Sequence, residues 1–66
     1  MNFKAGLEFA SLTHGLIDIE ESGEWPKQYR FECSSQDATE MVALRAELFD
    51  LHYKVISEYV CIIYDD

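Results

Sequence analysis

The sequence has little positive charge, little cysteine, one proline, three glycines and no long apolar run. Five Lys and Arg stand against thirteen Asp and Glu, a formal net charge of -8. A surface of that sign repels phosphate backbones and anionic lipid, which argues against direct nucleic-acid or membrane binding. The longest apolar run, Tyr59 to Tyr64, is far too short to span a bilayer. The first residues have no basic segment followed by an apolar one, as a secretory leader would. The two cysteines, Cys33 and Cys61, are fewer than a stapled secreted domain of this size uses, and they form no C-x-x-C pair. Buried free thiols in a reducing, cytoplasmic compartment are the expectation. Gly6, Gly15 and Gly23 are isolated, so no glycine-rich phosphate loop exists.

What is present suffices for one folded domain spanning residues 1–66. The hydrophobic fraction of 48%, with nine aromatic residues, is above the level of disordered chains. A chain this short buries only about 60% of its unfolded surface, so its core is thin. Size scaling gives a folded surface of roughly 4,300 Å². That leaves one uncompensated negative charge per roughly 500 Å², more than solubility alone requires.

The clearest element is a helix from about Gln36 to Lys54, with Ser34, Ser35 and Asp37 as candidate N-caps and Glu40 completing a capping-box spacing. Met41, Leu44, Leu48, Leu51 and Val55 recur at three- and four-residue intervals and predict its packed stripe. Asp50 and Lys54 are expected to pair across one turn of it. Glu58 to Tyr64 reads as a strand, apolar on both faces, more than one helix can cover. Gly15–Glu20 and Gln28–Cys33 read as a hairpin, with Asp18 paired to Arg30 across its polar face. In the first dozen residues Phe3, Ala5, Leu7 and Phe9 alternate with Lys4, Gly6 and Glu8, which favours a strand over a helix capped by Asn2. The expected fold is α+β: a small sheet in βββαβ order, one amphipathic helix on one face, and the final strand parallel to the first or third.

Catalytic chemistry is poorly provided for. Cys33 and Cys61 with His14 and His52 supply reactive atoms but no local signature of a nucleophile and base. A chain of this length is also hard pressed to shape a pocket of about 300 Å³ or more. Converging metal ligands are absent, and Asp65–Asp66 read as a solvated tail. The chain is read as a non-enzyme without cofactor; a small thiol-based enzyme is the remote alternative.

Two local features suggest binding. Asp18, Glu20, Glu21 and Glu24 place four carboxylates on a strand end and hairpin loop; together with Glu32, Glu40, Glu47 and Asp50 they are expected to imitate the spaced charges of a nucleic-acid backbone. Trp25 beside them is an indole of the kind that anchors interfaces, with Tyr59 and Tyr64 able to extend the grip from the final strand. The expected partner is a larger protein with a basic surface. Small size, acidity and lack of catalytic equipment are shared by phage-encoded inhibitors of host defence or transcription, such as anti-CRISPR and anti-restriction proteins. That is an analogy of class and not of sequence. The alternative is a homodimer whose final strand pairs with its twin, its acidity serving solubility alone.

Overall fold

A computed structural model describes residues 3–23 and 27–65. The order is α1 (Phe3–Ser11), β1 (Leu16–Ser22), β2 (Lys27–Cys33), α2 (Gln36–Leu48), β3 (His52–Ser57) and β4 (Val60–Asp65). The four strands form one antiparallel sheet in the order β1-β2-β4-β3. The α+β class holds, but the sequence-based order does not: αββαββ replaces βββαβ. The final strand is antiparallel to both neighbours and lies inside the sheet. Edge pairing of that strand with a twin is therefore ruled out by topology.

The N-terminal segment expected as a strand is α1. Its alternation over Phe3–Phe9 competes with a helical contact that the sequence does not display. Gly6 is buried where α1 meets the end of α2. A Cβ there would stand 2.9 Å from both Leu51 Cδ1 and Phe49 Cβ. The glycine is thus a packing requirement and not a helix breaker. Gly15, at φ 97, turns the chain into β1 in the left-handed region, with its carbonyl accepting from Ser34 N–H.

α2 begins at Ser35, whose side chain accepts from Ala38 N–H at 3.1 Å. It ends earlier than its periodicity suggests, at Leu48. Asp50 at φ 57 takes the left-handed position, its N–H donating to Glu47 O, while Leu51 N–H reaches back to Ala46 O at 2.9 Å. That pair of bonds is a Schellman stop formed without glycine. Lys54 and Val55 consequently lie on β3, and the Asp50–Lys54 helical pair does not form.

Both helices cover the same face of the sheet. The core there consists of Phe31, Cys33, Cys61 and Ile63 from the strands with Ala10, Ala38, Val42, Ala43 and Ala46 from the helices. Arg45 ties the helices together: Nη1 donates to Phe9 O at 3.1 Å and its guanidinium lies 4.4 Å from the Phe9 ring centroid. Thr39 anchors α2 to the β3–β4 turn, its hydroxyl donating to Glu58 O at 2.7 Å.

Candidate functional site

The hairpin acids divide between two faces. The register sets Asp18 opposite Glu32, Glu20 opposite Arg30 and Glu21 opposite Tyr29. Tyr29 belongs to the covered face, so Glu21 points to the helix side while Asp18 and Glu20 lie on the open side. The expected Asp18–Arg30 pair is corrected by that register; Arg30 instead meets Glu32 of its own strand at 3.8 Å. Glu21 is already engaged. Its carboxylate accepts from Lys27 Nζ at 3.1 Å and from the Tyr29 hydroxyl at 3.2 Å. The Lys27 hydrogen bond and charge hold that carboxyl below the usual range. Glu24 and Trp25 fall outside the described residues.

Only one of the two tyrosines shares a face with Asp18 and Glu20. Tyr59 sits in the β3–β4 turn, half exposed, with its carbonyl accepting from Cys33 N–H at 2.8 Å. Lys27, next to the hairpin loop, pairs with Asp65, and Glu32 pairs with Val60 beside the turn. Tyr59 is therefore at the opposite end of the sheet from the loop, roughly 17–20 Å away for strands of this length. Tyr64 lies on the open face, aligned with Gln28 and His52. Of the expected contacts, Asp18, Glu20 and Tyr64 share one face; Glu21 and Tyr59 lie elsewhere.

The structure adds a surface that periodicity alone places in the core. α2 presents Met41, Leu44 and Leu48 to solvent, 42%, 47% and 61% exposed. The stripe expected to be packed is the outward ridge. The physical reason is size: Ala38, Thr39, Val42, Ala43 and Ala46 face the sheet and let the helix sit close upon it. A second apolar line of large side chains then has no place but outside. Asp37, Glu40 and Glu47, all exposed, stand beside this ridge. A hollow of about 560 Å³ opens between Asp37, Glu40, Met41 and Leu44. No signal in spacing alone distinguishes an outward from an inward stripe; the three alanines opposite it are the available clue.

The open face of the sheet is the other uncovered surface. Its central row runs Lys54, Ile62, Arg30 and Glu20 from β3 to β1. Ile62 and Tyr64 of β4, both partly exposed, give it an apolar column, with Val60 buried at its end; Lys54 flanks it on one edge strand and Asp18 and Glu20 on the other. Among the described residues no ion pair reaches the side chains of Lys54, Asp18 or Glu20.

The thiols are poor nucleophiles here. Cys33 and Cys61 are free and buried. Burial pushes the Cys61 thiol up to about 11 and raises that of Cys33 as well. The register makes the two cysteines diagonal neighbours and not a directly opposed pair, with Cα atoms about 7–8 Å apart, wider than the roughly 4.4–6.8 Å a disulfide spans. Among the described residues no three His, Cys, Asp or Glu side chains converge to hold a metal ion. One hollow, about 700 Å³ beside Glu47, His52, Lys54 and Tyr64, exceeds the size expected from so short a chain. It opens to solvent at the start of β3. No helix among the described residues is long and apolar enough to cross a membrane.

Comparison with known protein families, with curated proteins and with solved structures yields no match to this chain.

Proposed function

We propose that this chain is a non-enzymatic docking domain, an inhibitor or adaptor that binds a basic surface of a larger protein. The observation that carries this reading is the outward ridge of α2. Met41, Leu44 and Leu48 follow the i, i+3, i+7 spacing by which a helix engages an apolar groove or a second helix. An amphipathic surface helix would turn polar side chains to solvent at these positions. Glu40 and Glu47 along one flank, with Asp37 at the N-terminal end of the ridge, match it to a partner that is apolar at the centre and cationic at the rim. The net charge of -8 steers such a partner inward over a longer range.

This reading keeps the partner class expected from composition and adds a second place of contact to the β1–β2 hairpin. An inhibitor that occupies the nucleic-acid groove of a nuclease, polymerase or repressor is the most specific form of the proposal. The buried, proton-retaining thiols support a binding role over a thiol-based enzyme.

The test is affinity capture by the immobilised domain at low and high salt, followed by identification and titration of the retained protein. Leu44→Gln with Leu48→Gln leaves net charge unchanged and keeps good helix formers in place. That double variant is expected to lose at least about tenfold in affinity, the scale of two anchor residues at an interface centre. Glu40→Gln with Glu47→Gln is expected to slow association and flatten its salt dependence. Capture that ignores the ridge but fails after Glu20, Glu21 and Glu24 are changed to Gln would move the interface to the hairpin. Retention of no basic protein at low salt would overturn the proposal.

A further inference from the structure

The open face of the sheet is distinct from the α2 ridge and lies on the other side of the molecule. We propose that it is the contact face of a homodimer, two sheets packed face to face about a two-fold axis parallel to the strands. The order of charges across the face carries this arrangement. Lys54 on edge strand β3 and Glu20 on edge strand β1 occupy one cross-strand row, with Ile62 and Arg30 between them. Three strand spacings of about 4.8 Å separate Lys54 from Glu20, roughly 14 Å, too far for them to pair within one chain.

A two-fold axis along the strands, running between β2 and β4, reverses left and right and preserves height along the strand. It sets Lys54 opposite Glu20 of the partner subunit, and Glu20 opposite Lys54 of the partner subunit. Two ion pairs form from four charges that have no ion-pair partner among the described residues of the free chain. In the same operation Ile62 meets Arg30 of the partner subunit, whose stem is apolar, and Tyr64 meets Gln28 of the partner subunit. A two-fold contact requires such self-complementarity, and the face has it in this orientation.

The alternative axis, perpendicular to the strands within the interface plane, sets each edge strand over its own copy. Lys54 would then oppose the cationic edge of the partner subunit, and Glu20 the acidic one. The charge order thus selects one axis. With strands of six to seven residues and four strands across, the face measures about 20 by 19 Å. That places the interface at the small end of specific contacts, so the association is weak and reversible.

Charge reversal separates local pairing from overall repulsion. Lys54→Glu takes the net charge from -8 to -10, and Glu20→Lys takes it from -8 to -6. Overall repulsion alone would make the first variant associate more weakly and the second more strongly. Local pairing makes both weaker, because each change opposes two like charges twice. Sedimentation equilibrium up to about 1 mM chain is the measurement, with circular dichroism to establish that each variant is folded. The expected result is a wild-type dimer, with association about tenfold weaker in each single variant. The Lys54→Glu/Glu20→Lys double variant should recover it. Mixing the two single variants should yield a heterodimer. The carboxylate introduced at position 54 of one chain then meets the ammonium introduced at position 20 of the other, and the second pair is native. A chain that stays monomeric to 1 mM would overturn the proposal. So would stronger association of the Glu20→Lys variant, or a dimer insensitive to both reversals but abolished by Leu44→Gln with Leu48→Gln. The ridge test above reads a different surface, so the two readings fail separately.

Discussion

Toward the sheet, α2 presents Ala38, Thr39, Val42, Ala43 and Ala46; toward solvent it presents Met41, Leu44 and Leu48. The larger apolar side chains are outside. A hydropathy pattern counts methyl groups and would place the bigger stripe in the core. The fold instead uses the smaller stripe, because a thin domain gains more from a close helix-on-sheet approach than from bulk between the layers. Val42 and Ala46 are fully buried in this arrangement, while Leu48 keeps most of its surface in water. Each side of the helix is apolar: the inward side packs closely on the sheet, and the outward side is the one we propose a partner covers.

Ala46, fully buried on the inward side, is where a substitution is expected to cost most. Ala46→Leu adds three carbon atoms where no space is left, and is expected to destabilise the domain by about 1–3 kcal/mol. Thermal unfolding reads this as a fall of about 4–8 °C per kcal/mol for a domain this small. An unchanged midpoint would mean that the inward side is not closely packed.

Gly6 sharpens the same point from the other helix. Alanine is the better helix former by about 1 kcal/mol, so propensity alone makes Gly6→Ala stabilising. The contacts at 2.9 Å to Leu51 and Phe49 reverse the sign. Because one of the two is a backbone-anchored Cβ, the expected net loss is about 1 kcal/mol. Chemical denaturation would register it as a lower midpoint with an unchanged slope.

How much of this was legible beforehand follows from the same physics. The hairpin, the start of α2 and the β4 strand were readable, because alternation, a serine cap and β-branched runs are local signals. The α+β class followed from them. The first helix was not readable, since its alternating residues fit a strand and Gly6 spoke against a helix until its tertiary contact was known. The end of α2 was hidden for a related reason: Asp50 takes a left-handed stop usually marked by glycine. Val55 then continued the helical spacing by coincidence, and β3 was absorbed into the helix. Of the candidate binding residues, the shared face of Asp18 and Glu20 was legible from strand parity. The separation of Tyr59 from them was not, because it depends on β4 running between β2 and β3. The α2 ridge is visible as a stripe but not as an outward one, since periodicity fixes a face and leaves its direction open.

The smallest expected effect is on the outward side. Leu48→Ala removes a side chain that is 61% exposed, and its cost to the isolated domain should stay within about 0.5 kcal/mol. A loss comparable to that of Ala46→Leu would show that Leu48 is part of the core.

The most direct measurement of the central claim is the exposure of methyl groups around α2 in the free domain. A soluble paramagnetic agent accelerates the relaxation of nuclei near solvent, and the methyls of Met41, Val42, Leu44 and Leu48 can be read in one nuclear magnetic resonance experiment. Strong enhancement is expected at Met41, Leu44 and Leu48, with Val42 protected. Protection of Leu44 and Leu48 to the level of Val42 would contradict it.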